Sequence, residues 1–148
     1  PDFGGHYQVQ HHSEFLAQLV ERGDLTLSAS NTDTVTYHDP CYLGRYNDVF
    51  DAPRFLLNAM GINITEMERS QRRSRCCGGG GGAPITDIAG EQRIPDMRVD
   101  DAKAVKADTL AVACPQCNAM FEGVVAPRPE IKDVAELVLD AVVTKEGH

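Results

Sequence analysis

The stretch "TLAVACPQC", Thr109–Cys117, is an unbroken apolar run that ends on Cys114, Pro115, Gln116 and Cys117. A short apolar run without alternation predicts a strand buried on both faces, the pattern of a parallel sheet covered by helices. The flanking segments fit that reading. "NAMFEGVV" predicts a short helix after it, and "IPDMRVDDAKAVKA", with Pro95 near its first turn, a helix before it. Upstream, "TVTYH", Thr34–His38, predicts another strand, which ends at "DPC" because Pro40 cannot donate to a ladder. "APRFLLNAM" predicts a helix with Gly61 beyond its end, and "INITEME", Ile62–Glu68, alternates like a strand. "HHSEFLAQLVERG" predicts an opening helix capped by Ser13, with Phe15, Leu16, Leu19 and Val20 as its apolar stripe. "EIKDVAELVLDAVV" predicts a brief strand at Ile131 and Lys132. A closing helix follows, with Val134, Leu137, Val138 and Val142 on one stripe. The expected fold class is α/β, a parallel sheet of about four strands flanked by helices.

Chain-wide properties narrow the function classes. The 148 residues suit one domain, 1–148, with its own core. A net charge of −8 argues against broad nucleic-acid binding. No apolar run reaches the roughly 20 residues of a membrane span. The start, "PDFGGHYQVQHH", lacks an initiator Met and the regions of a signal peptide, so a piece or subunit of a longer protein is expected.

The five cysteines are spaced Cys41, thirty-four residues, Cys76-Cys77, thirty-six residues, Cys114-x-x-Cys117. Functional groups of such sheets gather beyond the carboxyl ends of the strands. Cys41 is expected just past the first strand, Cys76 and Cys77 in the loop after the second, and Cys114 at the end of the third. Widely spaced in sequence, they meet at one edge. Five thiolates exceed the four that a tetrahedral zinc or an ordinary iron–sulfur cubane takes. An iron–sulfur assembly with an extra or bridging thiolate uses all five. Structural zinc on four of them remains an alternative. So does dithiol–disulfide chemistry at Cys76-Cys77 or at Cys114/Cys117.

"CCGGGGGAPIT" sets glycines directly after two thiols. Gly78 and Gly79 are expected to bring bare backbone N–H groups against the sulfur-rich centre. The run formally matches a dinucleotide fingerprint, but no strand precedes it, and no Lys-Ser/Thr follows to make a P-loop. Arg69, Arg72, Arg73 and Arg75 form a basic stretch before Cys76. They are read as cations near an anionic centre or as a docking patch for an acidic partner, with Arg75 the residue expected to tune a potential. His38 is read as packing or supporting the centre, Asp39 as capping the turn at Pro40, and Arg45 as approaching the centre from its loop. His11 and His12 are not taken as ligands.

A single Cys, CC before Gly, and CxxC, with both gaps in the thirties, resemble the CCG, or cysteine-rich, domain. That domain occurs in heterodisulfide reductases and in the iron–sulfur subunits of glycolate oxidase, anaerobic glycerol-3-phosphate dehydrogenase and lactate-utilisation enzymes. "YHDPCYLGR", "CCGGGGG" and "ACPQC" carry the likeness, which runs from about Val35 to Cys117. The chain is also similar to the C-terminal part of bacterial iron–sulfur oxidoreductases that work with electron-transfer flavoproteins. The resemblance implies Cys41, Cys76, Cys77, Cys114 and Cys117 as ligands of a [4Fe-4S] or non-cubane fused cluster, zinc being bound in some copies. It implies electron relay within an oxidoreductase complex, from an electron-transfer flavoprotein or flavin dehydrogenase toward quinone or another acceptor. Other iron–sulfur subunits are expected partners. The expected location is cytoplasmic, or the cytoplasmic face of the inner membrane through segments absent here.

Overall fold

A computed structural model describes residues 3–29, 34–86 and 90–143. The elements run α1 (His12–Glu21), β1 (Val35–Tyr37), a π-helical turn (Tyr42–Tyr46), α2 (Asp51–Ala59), a 3-10 turn (Gln71–Arg73), α3 (Ile94–Ala104), β2 (Thr109–Val112), α4 (Pro115–Glu122), β3 (Glu130–Asp133) and α5 (Val134–Ala141). The three strands lie in the order β1-β2-β3, and both pairings are parallel. Val35 faces Thr109 across the first ladder, and Thr109 faces Glu130 across the second.

All four residues of the central strand β2 are buried, as its apolar run predicted. Its side chains alternate between two cores. Ala111 and Ala113 join Val35, Tyr37 and Leu57 under α1, α2 and α5. Leu110 and Val112 join Val99, Phe121 and Ile131 under α3 and α4. The sheet is therefore covered on both faces, as parallel sheets require.

The segment read as a fourth strand makes one bridge, Ile64 to Val35, with Thr65 N–H donating to the Val35 carbonyl at 2.9 Å. Ile62 packs in the first core and Met67 in the second, so the segment crosses the sheet edge rather than extending it.

Three smaller expectations also change. His11, not Ser13, caps α1. Its Nδ1 accepts from Ser13 N–H, while Glu14 accepts from the His11 backbone N–H. Phe15 is half exposed, and Ser13 and Ala17 form the buried line of α1, flanked by Leu16 and Val20. Val142 leaves the stripe of α5 to bridge Leu27 in extended conformation.

Candidate metal centre

The parallel sheet sends two cysteine-bearing chain segments out at the same edge. After β1, Pro40 ends the strand, and Cys41 heads the π-helical turn with helical φ and ψ. After β2, Cys114 stays extended and becomes the N-cap of α4, with Pro115 at the first position of the helix. Proline suits that position because its missing N–H has no intrahelical partner to lose. Cys117 then sits inside the first turn of α4, buried. The expected helix thus starts three residues earlier than "NAM", and the CxxC is a strand-to-helix junction.

The third segment, Ser74–Gly79, is fixed by close packing of bare backbone. Gly78 has φ +83°, and a Cβ there would lie 2.9 Å from Pro95 Cδ. A Cβ at Gly79 would lie 2.7 Å from Gln116 Cγ. Gly78 N–H donates to Cys76 Sγ at 3.3 Å. Gly80, in contrast, faces open space. The wrapping role expected of the whole glycine run therefore narrows to its first two members.

All five cysteines are free thiols and line one cavity of about 640 Å³. Among the described residues, no three His, Cys, Asp or Glu side chains converge on a point suited to a single ion. Within the cavity, Cys117 stands between Cys114 and Cys77. The Cys117 thiol lowers Cys77 to about 6, with help from the Gly79 N–H. It lowers Cys114 to about 6 as well, with help from the Gln116 and Cys117 backbone N–H groups at the start of α4. Cys117 keeps its proton, because Cys114 and Cys77 both hold it in place and because it is buried. Two thiolates and an adjacent thiol, backed by N–H donors, form a donor set for a thiophilic metal group. With Cys41 and Cys76 on the same wall, the cavity fits a multi-atom iron–sulfur group.

His11 also lines the cavity. Its Nε2–H donates to the Ala113 carbonyl at 3.1 Å, and its Nδ1 is used as the cap of α1. Burial and neighbouring His12 lower its pKa, so it is a neutral brace beside Cys114.

Behind the Cys76-Cys77 loop lies a buried polar network that the sequence reading missed. Arg98 on α3 is fully buried. Its Nε donates to His38 Nδ1 at 3.1 Å, and its terminal nitrogens to Ser74 Oγ at 3.2 Å, the Arg69 carbonyl at 2.8 Å and Asp101 at 3.2 Å. Arg45 donates to the Ser74 carbonyl at 3.0 Å, so it holds the loop's backbone. His38 is buried edge-on against Phe121, and its pKa falls well below 6.5 through burial and the nearby Arg98 and Arg45 charges. It is a neutral acceptor. A sequence signal for Arg98 exists: Pro95, Arg98, Val99 and Ala102 are the buried line of α3, so a charge sits at a core position.

The other expected charges resolve differently. Arg75 is paired with Asp101 at 3.0 Å, Arg72 with Asp48, and Arg73 donates to the Glu68 carbonyl. Asp39 does not cap its own turn. It is buried, bonded to Arg54 through both oxygens and to the Gln71 N–H at 2.7 Å.

Comparison with known proteins agrees with this arrangement. The chain is 56% identical over 140 residues to the "Probable membrane-anchored ferredoxin" of Chromohalobacter salexigens, covering 92% of this chain and 21% of that protein. It is 42% identical over 142 residues to a polypeptide of the dihydromethanophenazine:CoB--CoM heterodisulfide reductase of Methanosarcina mazei, covering 92% and 34%. It is 38% identical over 154 residues to the "EtfAB:quinone oxidoreductase" of Syntrophomonas wolfei, covering 96% and 22%. The chain thus spans between a fifth and about a third of these relatives' lengths. The family model described as a cysteine-rich domain, CCG, matches residues 35–122. That match begins at the first residue of β1 and ends at the last of α4, enclosing all five cysteines and the segments that carry them, and the chain belongs to the cysteine-rich (CCG) domain family.

Proposed function

We propose that this chain is an iron–sulfur-binding electron-transfer domain of an oxidoreductase. The observation that carries the reading is the gathering of all five thiols on the wall of one cavity at the carboxyl edge of the sheet. Cys41, Cys76, Cys77, Cys114 and Cys117 would hold the group, and Gly78 and Gly79 would press bare backbone against it. When bound, an iron–sulfur group accepts and passes on single electrons. The protein's part is to present thiolates, to exclude bulk water behind them, and to supply N–H donors that set the potential.

Relatives named for a ferredoxin and for electron-transfer-flavoprotein:quinone chemistry support a place between a flavoprotein donor and quinone or another acceptor. Other iron–sulfur domains or subunits complete such a chain of carriers. No described helix is long and apolar enough to cross a membrane. In this reading, attachment to a membrane comes through partner segments.

Anaerobic purification with iron, sulfide and zinc analysis tests the proposal. Expected are iron and acid-labile sulfide in comparable amounts, with visible absorption bleached by reductant. Loss of iron in Cys41→Ser, Cys76→Ser and Cys114→Ser variants that still fold would assign the ligands. A colourless protein with one zinc would replace this reading with a structural domain.

A further inference from the structure

We infer that Arg98 is a positioning residue that doubles as the built-in cation of the centre. From behind the loop it fixes the approach of Cys76 and Cys77, and its charge favours the reduced form of the group they hold. The inference rests on the iron–sulfur reading above.

The geometry places a full charge where proteins seldom keep one. Arg98 is fully buried on a helix of otherwise apolar contacts. A buried guanidinium normally needs matched counter-charge. The carboxylate bonded to it is Asp101, which Arg75 shares at 3.0 Å. Arg54 does not change the balance, because Asp39 and Glu66 already engage it. Arg45 adds another guanidinium at the Ser74 carbonyl. Cation therefore exceeds anion directly behind the loop. The centre in front of it carries thiolates, and each electron it accepts adds one negative charge.

The connection to the cysteines is short. Arg98 holds Ser74 Oγ, and the Ser74 and Cys76 Cα atoms are two virtual bonds apart, at most about 7.6 Å. Full burial of the Arg98 side chain keeps solvent ions from screening it. Arg75, the residue the sequence pointed to, is a quarter exposed and neutralised by Asp101, so it is the weaker candidate.

Anaerobic redox titration of the cluster-loaded protein with dithionite and mediators tests this on three variants. Arg98→Gln keeps donors to Ser74 but loses the charge. At the wild-type midpoint its reduced-to-oxidised ratio should fall about tenfold, a potential ~59 mV lower for one electron. Arg98→Lys keeps the charge but loses the fork, and should stay nearer wild type than the Gln variant does. Asp101→Asn strips the counter-charge and should shift the ratio the opposite way, which general damage would not do. Equal shifts in the Gln and Lys variants, an unchanged Gln variant, or a fall in Asp101→Asn would each overturn the inference while leaving the cluster reading intact. Should Arg98→Gln fail to fold, the sign in Asp101→Asn decides. A wild-type protein without iron would overturn the functional reading and this inference with it.

Discussion

At the scale of single residues, the glycine run divides into positions with different duties. Gly78 combines a positive φ with a Cβ direction blocked by Pro95, and Gly79 is blocked by Gln116. An added methyl at Gly78 must strain the backbone and displace α3, a cost of about 1–3 kcal/mol. Gly80 has no neighbour in the path of a Cβ. We expect Gly78→Ala to lower both the unfolding free energy and the iron content, and Gly80→Ala to stay within about 0.5 kcal/mol of wild type. Denaturant unfolding with iron analysis measures both. Equal effects at the two positions would mean that the loop's packing is not what matters. Sequence alone revealed that glycines were needed here, but not which. Five identical letters carry no record of what stands opposite each one.

At the scale of elements, the strand exits were legible and the network behind them was not. A buried run ending on cysteine states its own direction and burial, and parallel strands share an exit edge, so Cys41 and Cys114 could be brought together from pattern alone. The segment Ile62–Glu68 misled because alternation signals a strand only where a partner ladder is long enough. β1 has three residues, and the segment spends Glu66 on Arg54 and Met67 on the opposite core. Arg98 was hidden because a charge within a helix reads as solvent-facing until its neighbours on the stripe are known.

The junction of β1 with α3 also predicts acid sensitivity. The folded pKa of His38 lies well below 6.5, through burial first and the Arg98 and Arg45 charges next. Below about pH 6.5 the unfolded chain takes up a proton that folded His38 refuses, so acid favours unfolding. Stability is fully present above that pH and falls beneath it, by at most about 1.4 kcal/mol per pH unit from this group. His11, also depressed, acts in the same direction. Melting temperatures of the metal-free protein should decline from about pH 7 to about pH 5, and less steeply in His38→Gln. Parallel curves for the two proteins would assign the decline to other groups.

At the scale of the whole molecule, two cores on either side of one sheet carry most of the packing, and only the second includes cysteines, Cys77 and Cys117 with Cys114 packed against it. Metal removal should therefore lower the melting temperature through lost ligand binding without unfolding the chain. By hydrogen exchange, lost protection should concentrate in 41–46, 74–79 and 114–117, with β2 still protected. Global loss of protection on chelation would instead make the metal a condition of folding.

The placing of Cys117 beyond β2 has a consequence in time. A ribosome delivers Cys41 and the Cys76-Cys77 pair well before the strand that separates β1 from β3 exists. Until that strand is inserted, the early thiols have no common wall to stand on. Loading of the centre then follows closure of the sheet, and the growing chain must be kept reduced until its last ligand emerges.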